Sequence, residues 1–258
     1  MLDAVRVMQE SAACAAALSL PHWVYAYTWV RPRAFASFSG VDLDRQSPAV
    51  AAKQLCTLAV GLKIVQALFF LRWWLVVVYG AESDADGDVL NAFRVAASKP
   101  LLQMALAAVL VFVGNSLNFA VYDSLGMVGV YYGDRFGANV PWVTGWPFNF
   151  MPHPQYVGAS CNVLGATVAL YPTEGERGHQ AAAYMVGMAI YWVMLYVATT
   201  VWEDQARGYP IKSETPAANG NGAAAADQVV KGGAVKGGAA KTGPAAAAGA
   251  RRRTRRAD

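Results

Sequence analysis

The stretch KPLLQMALAAVLVFVGNSLNFAVY, residues 99–122, decides the fold class. A helix that crosses a bilayer needs roughly 20 mainly apolar residues in succession, and this run supplies them. Past Gln103, only Asn115, Ser116 and Asn118, just after Gly114, interrupt its apolar character. Amides and hydroxyls at that depth either hydrogen-bond a neighbouring helix or belong to a site.

Comparable runs lie on both sides, at about 11–30, 55–80, 156–171 and 180–202. The first ends in the cluster His22, Trp23, Tyr25, Tyr27 and Trp29, and Pro21 and His22 break it, so it either spans or re-enters. The second contains Lys63 and Arg72 and has Trp73, Trp74 and Tyr79 near its end. Charge inside a span is costly and marks a site, unless the long side chains snorkel to the interface. Trp and Tyr at segment ends form interfacial belts. The run at 156–171 is short. The expected fold is all-α: a polytopic membrane bundle with four to five membrane helices over residues 1–210.

Composition agrees with a membrane protein. Hydrophobic residues make up 55% and charged residues 15% of the 258-residue chain, where soluble chains average about 25% charged. From Gln228 onward there are eight basic residues and one acid, a net +7, which leaves about −3 for the rest of a chain that totals +4. The basic balance is therefore a property of the tail and does not point to nucleic acid. Residues 216–250 are mostly Ala, Gly, Lys and Pro, with a KGGAV/KGGAA near-repeat. Such a composition buries no core, and a disordered basic tail is expected over 211–258. Its RRRTRR cluster suits anionic lipid on the cytosolic leaflet.

Loop charge gives a topology. Loop 31–54 carries Arg31, Arg33, Arg45 and Lys53 against Asp42 and Asp44. Loop 81–98 carries Glu82, Asp84, Asp86 and Asp88 against Arg94. The positive-inside rule puts loop 31–54 and the C-terminus in the cytosol and loop 81–98 across the membrane. Cys14, Cys56 and Cys161 are far apart with no CxxC, and are expected to be reduced.

The segment SLGMVGVYYGDRFGANVPWVTGWPFNFMPHPQYVGAS, residues 124–160, carries the chemistry. It is rich in Gly, Pro and aromatics. Irregular backbone at membrane depth is tolerated only where it is buried in protein or lines a wet cavity. Gly129, Gly133 and Gly137 recur every four residues, which predicts a small-residue face for helix packing or a close backbone approach to a ligand. Pro147, Pro152 and Pro154 preclude a continuous helix. His153 is a candidate base, or a structural hydrogen-bonding residue. No second His or Cys stands near it in sequence, so no metal site is expected. Glu203 and Asp204 directly follow the apolar run that ends at Trp202. They either mark the interface or hold a cationic cofactor there. No GxGxxG follows a strand, so the usual soluble dinucleotide fold is not expected.

Three runs carry a resemblance: GNSLNFAVYDSLGMVGVYYGDRFGANVPWVTGWPFNF (114–150), HPQYVGAS (153–160) and WEDQAR (202–207). Together they resemble the class II phospholipid methyltransferases of yeast, animals and plants, and most of all the plant and algal branch. The resemblance implies a multi-pass enzyme of the endoplasmic reticulum membrane. Its methyl donor is S-adenosylmethionine and its substrate a phospholipid amine headgroup, with the mono- and dimethylated lipids preferred and phosphatidylcholine as product.

Carried over by position, the family's cofactor-binding GxG falls on Phe112, Val113 and Gly114, where only the second glycine is kept. Its acidic pair falls on Glu203 and Asp204, with Asp in place of a second Glu. Its NPxYxG falls on HPQYVG, which keeps Pro154, Tyr156 and Gly158 and has His153 in place of Asn or Asp. The implied catalytic residues are Glu203, His153 and Tyr156. Tyr131, Tyr132 and Trp146 are candidates to cage the methylated amine by cation–π contact, with Asn149 as a further substrate-binding residue. Methyl transfer to nitrogen requires alignment of amine, methyl and sulfur and an amine that has lost its proton to a carboxylate, a histidine or water.

Two other readings share parts of the pattern. An isoprenylcysteine carboxyl methyltransferase uses a similar HPxYxG element but methylates a carboxylate. A non-catalytic membrane scaffold or channel would use the glycines only as packing seams.

Overall fold

Each apolar run forms a helix. A computed structural model describes residues 4–80, 86–172 and 178–206. They form α1 (Ala4–Val30), α2 (Pro32–Phe38), α3 (Pro48–Trp73), α4 (Asp86–Ala97), α5 (Leu101–Val130), α6 (Pro154–Leu170) and α7 (Gly178–Ala206). No strand occurs among the described residues. The tail expected over 211–258 lies outside the described residues, as do Glu82 and Asp84 of the acidic loop.

Among the described residues, three helices are long and apolar enough to cross a membrane: Pro48–Tyr79, Leu101–Val130 and Gly178–Gln205. The sequence led us to expect four to five. α6 has 17 residues, below the usual spanning length. α1 is long enough at 27 residues, but it is not among the three.

Local sequence sets the helix ends. Ser47 caps α3 by accepting a hydrogen bond from the Ala49 amide, and Pro48 occupies the first helical position, where a missing N–H costs nothing. α3 runs on into a π-helical turn, Trp74–Tyr79, and stops at Gly80, whose φ of 83° is the left-handed helix stop that favours glycine. α1 continues through the buried Pro21 rather than breaking there. α5 extends beyond residue 122 to Val130 and bends at Gly126 (φ 63°, ψ 173°), a conformation only glycine adopts readily.

α5 packs chiefly on α6, α1 lies against both α3 and α7, and α6 also touches α7. The α5–α6 crossing is close because it is made of glycines. A Cβ at Gly114 would stand 2.5 Å from the Gly158 carbonyl oxygen, and one at Gly158 would stand 2.7 Å from that of Gly114. Backbone approach of this kind drives helix association where no hydrophobic effect operates. The expected face of Gly129, Gly133 and Gly137 does not form. Only Gly129 is helical. Gly133 turns back so tightly that a Cβ would meet the Val128 carbonyl oxygen at 2.6 Å, and Gly137 has φ 95°.

The outer surface is apolar, with Leu101 85%, Phe119 74% and Phe112 73% exposed. Such a surface suits hydrocarbon rather than water. Several polar groups inside the helices are tied to neighbouring helices. Lys63 Nζ donates to Tyr196 Oη at 2.8 Å, Gln66 Nε2 donates to the Leu18 carbonyl at 2.7 Å, and Asn162 Nδ2 donates to Asn115 Oδ1 at 3.3 Å. His22 Nδ1 and Thr199 Oγ1 are 2.8 Å apart. Arg72 pairs with Glu10 at 2.5 Å.

Candidate functional site at the α5–α6 loop

The site begins where α5 ends. The Tyr131 amide donates to the Met127 carbonyl, and the Gly133 amide donates to that of Val128. Between them the chain reverses at Tyr132, which has φ 58°. Tyr132 is the one non-glycine residue with positive φ among the described residues. For a bulky side chain this is a strained conformation, costing on the order of 1–3 kcal/mol.

The surroundings hold it there. The Tyr132 ring meets Trp29 edge-on at 5.1 Å and Tyr25 at 6.0 Å. Its hydroxyl donates to Glu203 Oε1 at 2.5 Å. Tyr156 donates to the same oxygen from the first turn of α6, which Pro154 starts. The two phenol oxygens are 3.5 Å apart. Glu203 arrives from the end of α7 and is only 6% exposed. A buried carboxylate is costly unless it is paired or hydrogen-bonded, and the two hydroxyls meet that demand. Burial, with Tyr156 and Glu203 close by, pushes the Tyr132 phenol well above its ordinary pKa, so it remains a donor.

The neighbouring acid points elsewhere. His153 Nε2 donates to Asp204 Oδ2 at 3.0 Å, and the Asp204 side chain is 53% exposed. The chain thus splits its acidic pair, with Glu203 inside the phenol cluster and Asp204 outside it beside His153.

These groups border a cavity of about 790 Å³, whose walls include Trp29, Tyr132, Arg135, Trp142, Asn149, His153, Tyr156 and Glu203. Arg135 reaches across to α1. Its Nε and Nη2 donate to the Trp29 carbonyl at 3.1 and 2.8 Å, and its guanidinium lies 4.6 Å from the centre of the Trp29 ring. The contact caps the end of α1 with a cation, where the helix dipole favours one.

The structure brings together five of the residues singled out from sequence: Glu203, His153, Tyr156, Tyr132 and Asn149 all line the cavity, with Asp204 attached through His153. Others stand apart. Tyr131 turns into the core and shares a hydrogen bond with Tyr122 at 2.7 Å. Trp146 is 58% exposed and is not part of the cavity wall. Phe112, Val113 and Gly114 do not line the cavity either: Phe112 faces outward, and Gly114 lies in the α5–α6 seam. Trp29 and Arg135 were missed. Arg135 is one of the few charges in a segment otherwise made of glycine, proline and aromatics, and that scarcity was the available signal. Among the described residues, no three His, Cys, Asp or Glu side chains cluster as metal ligands would.

Comparison with known proteins follows the same stretch. The model of the phospholipid methyltransferase family matches residues 102–206. The phosphatidyl-N-methylethanolamine N-methyltransferase of Arabidopsis thaliana is 36% identical over 114 residues, covering 37% of this chain and 70% of that protein. The proteins of the same name from Emericella nidulans and Saccharomyces cerevisiae are 37% and 33% identical over 109 and 100 residues. These alignments cover 41% and 38% of this chain, and 48% and 44% of the two fungal proteins. No solved structure matches the chain significantly.

Proposed function

The chain belongs to the phospholipid methyltransferase family, and from that premise we propose that it transfers methyl groups from S-adenosylmethionine to the amine headgroups of phospholipids. The preferred acceptors are phosphatidyl-N-methylethanolamine and phosphatidyl-N,N-dimethylethanolamine, and the product is phosphatidylcholine. The relatives' names support the first of these acceptors.

The observation that carries the proposal is Glu203, a buried carboxylate held by two phenols at a cavity wall. Both reactants bring positive charge, the donor as a sulfonium and the lipid as an ammonium. A carboxylate set among Trp29, Tyr132 and Tyr156 rings offers charge and π-faces to such groups. When bound, S-adenosylmethionine supplies an activated methyl group. Glu203 and Asp204 are proposed to hold it. Of Phe112, Val113 and Gly114, Gly114 contributes by setting the α5–α6 seam and hence the position of Tyr156.

The protein's task at the amine is deprotonation and alignment. His153 donates from Nε2 to Asp204, which leaves Nδ1 as its basic nitrogen and makes it a candidate to take the headgroup proton. Tyr132 and Tyr156 both donate to one Glu203 oxygen, an arrangement that favours the charged form of a carboxylate. The lipid enters sideways from the bilayer, with its headgroup at the interface.

The proposed setting is the endoplasmic reticulum membrane. α1, α3, α5, α6 and α7 are proposed as five spans with a cytosolic C-terminus, whose basic residues meet anionic lipid. Expression in yeast that lacks its own phospholipid methyltransferases tests the function. Phosphatidylcholine should reappear at the expense of the mono- and dimethylated lipids. Unchanged lipids, together with no binding of S-adenosylmethionine by the purified protein, would favour a scaffold.

A further inference from the structure

We propose that Arg135 recognises the phosphodiester of the lipid headgroup, an assignment that rests on the phospholipid reading above. Arg135 is the one Lys or Arg among the described residues lining the cavity. Two of its nitrogens are committed to the Trp29 carbonyl, and its plane is held against the Trp29 ring. The side chain is therefore fixed rather than free to sweep. Among the described residues it has no carboxylate within ion-pair distance, although Asp134 is its neighbour in sequence. Nη1 makes no hydrogen bond there either. A held, unneutralised guanidinium at a cavity wall suits an anion with several acceptor oxygens.

The order of groups along the wall matches the ligand. Arg135 lies on Trp29 at 4.6 Å, Trp29 meets Tyr132 at 5.1 Å, and Tyr132 reaches Glu203 at 2.5 Å. A cation, two aromatic rings and an anion thus follow one another. The headgroup is a phosphate, a two-carbon spacer and a cationic amine. With the phosphate on Arg135, the amine lies over the rings, toward Glu203. An amino-acid carboxylate, such as that of the methyl donor, has the same charge. Trp142 favours the lipid, because it lines the same cavity while 85% exposed, as a residue of the membrane interface would.

The test uses the full-length protein in bilayers with two methyl acceptors. One is phosphatidyl-N,N-dimethylethanolamine. The other is a diacylglycerol that carries the dimethylaminoethyl group through a neutral carbamate. Wild type should prefer the phosphate lipid in kcat/KM. Arg135→Gln should lower that value by about ten- to a hundredfold, mostly through KM, the range expected for a lost charge-assisted contact. It should change turnover of the carbamate lipid by less than about threefold and leave the Kd for S-adenosylmethionine as it was. Arg135→Lys keeps the charge without the fork and should retain part of the preference. It decides the matter if the glutamine variant does not fold.

Parallel losses on both acceptors would reduce Arg135 to a cap on α1 and overturn the assignment. Weaker S-adenosylmethionine binding in either variant would do so as well, by making the donor's carboxylate the anion. If wild type methylates neither acceptor, the phospholipid reading itself fails and this assignment falls with it.

Discussion

Tyr132 donates its phenolic hydrogen to Glu203 at 2.5 Å from 71 residues away in the sequence. Tyr156 reaches the same carboxylate oxygen across 47 residues. One atom thus ties the loop after α5 to the start of α6 and the end of α7. Removing its charge should be felt by the cofactor before it is felt by the fold.

Glu203→Gln keeps the size and one acceptor oxygen but loses the charge. The Kd for S-adenosylmethionine, read by calorimetry on purified protein, should rise by about ten- to a hundredfold. Unchanged affinity would sink the assignment of Glu203 to the cofactor.

The two phenols share an oxygen, so their losses should not add. Tyr132→Phe and Tyr156→Phe should each destabilise the protein by about 1.5–3 kcal/mol, the range for a hydrogen bond to a charged group. The double variant should lose less than the sum. Thermal unfolding in detergent measures all three, and strict additivity would mean that the hydroxyls act independently.

Alkaline pH gives a separate handle on Tyr132. Burial raises its pKa in the folded protein, so the unfolded chain releases that proton first, near the ordinary value of about 10. The folded state then binds more protons than the unfolded one, and stability falls as pH rises above about 10. Below that pH the contribution is fully present. Tyr132→Phe should flatten part of this alkaline decline in unfolding midpoints taken at a series of pH values. A decline of unchanged slope would show that other groups cause it.

Gly114 and Phe112 should respond in opposite ways. A methyl group at Gly114 would press on the Gly158 carbonyl and on Asn162, so Gly114→Ala should cost about 1–3 kcal/mol by overpacking. Phe112 is 73% exposed, and Phe112→Leu should change stability by no more than about 0.5 kcal/mol. Unfolding midpoints decide this. Equal effects would show that the two positions form one binding element rather than one seam and one lipid-facing residue.

What was legible in the sequence was local. A continuous run such as 99–122 announces a membrane helix because the bilayer demands length and apolarity alone. The end of α5 was hidden, because the helix continues past the run 99–122 through a bend at Gly126 to Val130. The spacing of Gly129, Gly133 and Gly137 suggested one face, but spacing matters only inside a helix, and α5 stops at Val130. Glu203 was legible from its place beside Asp204 at the end of an apolar run, and the resemblance selected the cofactor role. Its phenol partners could not be paired with it, because that requires knowing how three distant elements meet. The contact between Arg135 and Trp29, 106 positions apart, was hidden for the same reason.

The place of Glu203 near the end of α7 bears on how the protein is made. Synthesis runs from the N-terminus, so Tyr132 and Tyr156 leave the ribosome well before the carboxylate they bind. Until the last helix is in place, the two hydroxyls lack their common acceptor and the strained turn at Tyr132 lacks its anchor. A nascent chain can insert its earlier helices without possessing a finished site. The site is thus completed only once α7 has been made and placed, and a chain cut short before residue 203 would lack the carboxylate that joins the two phenols.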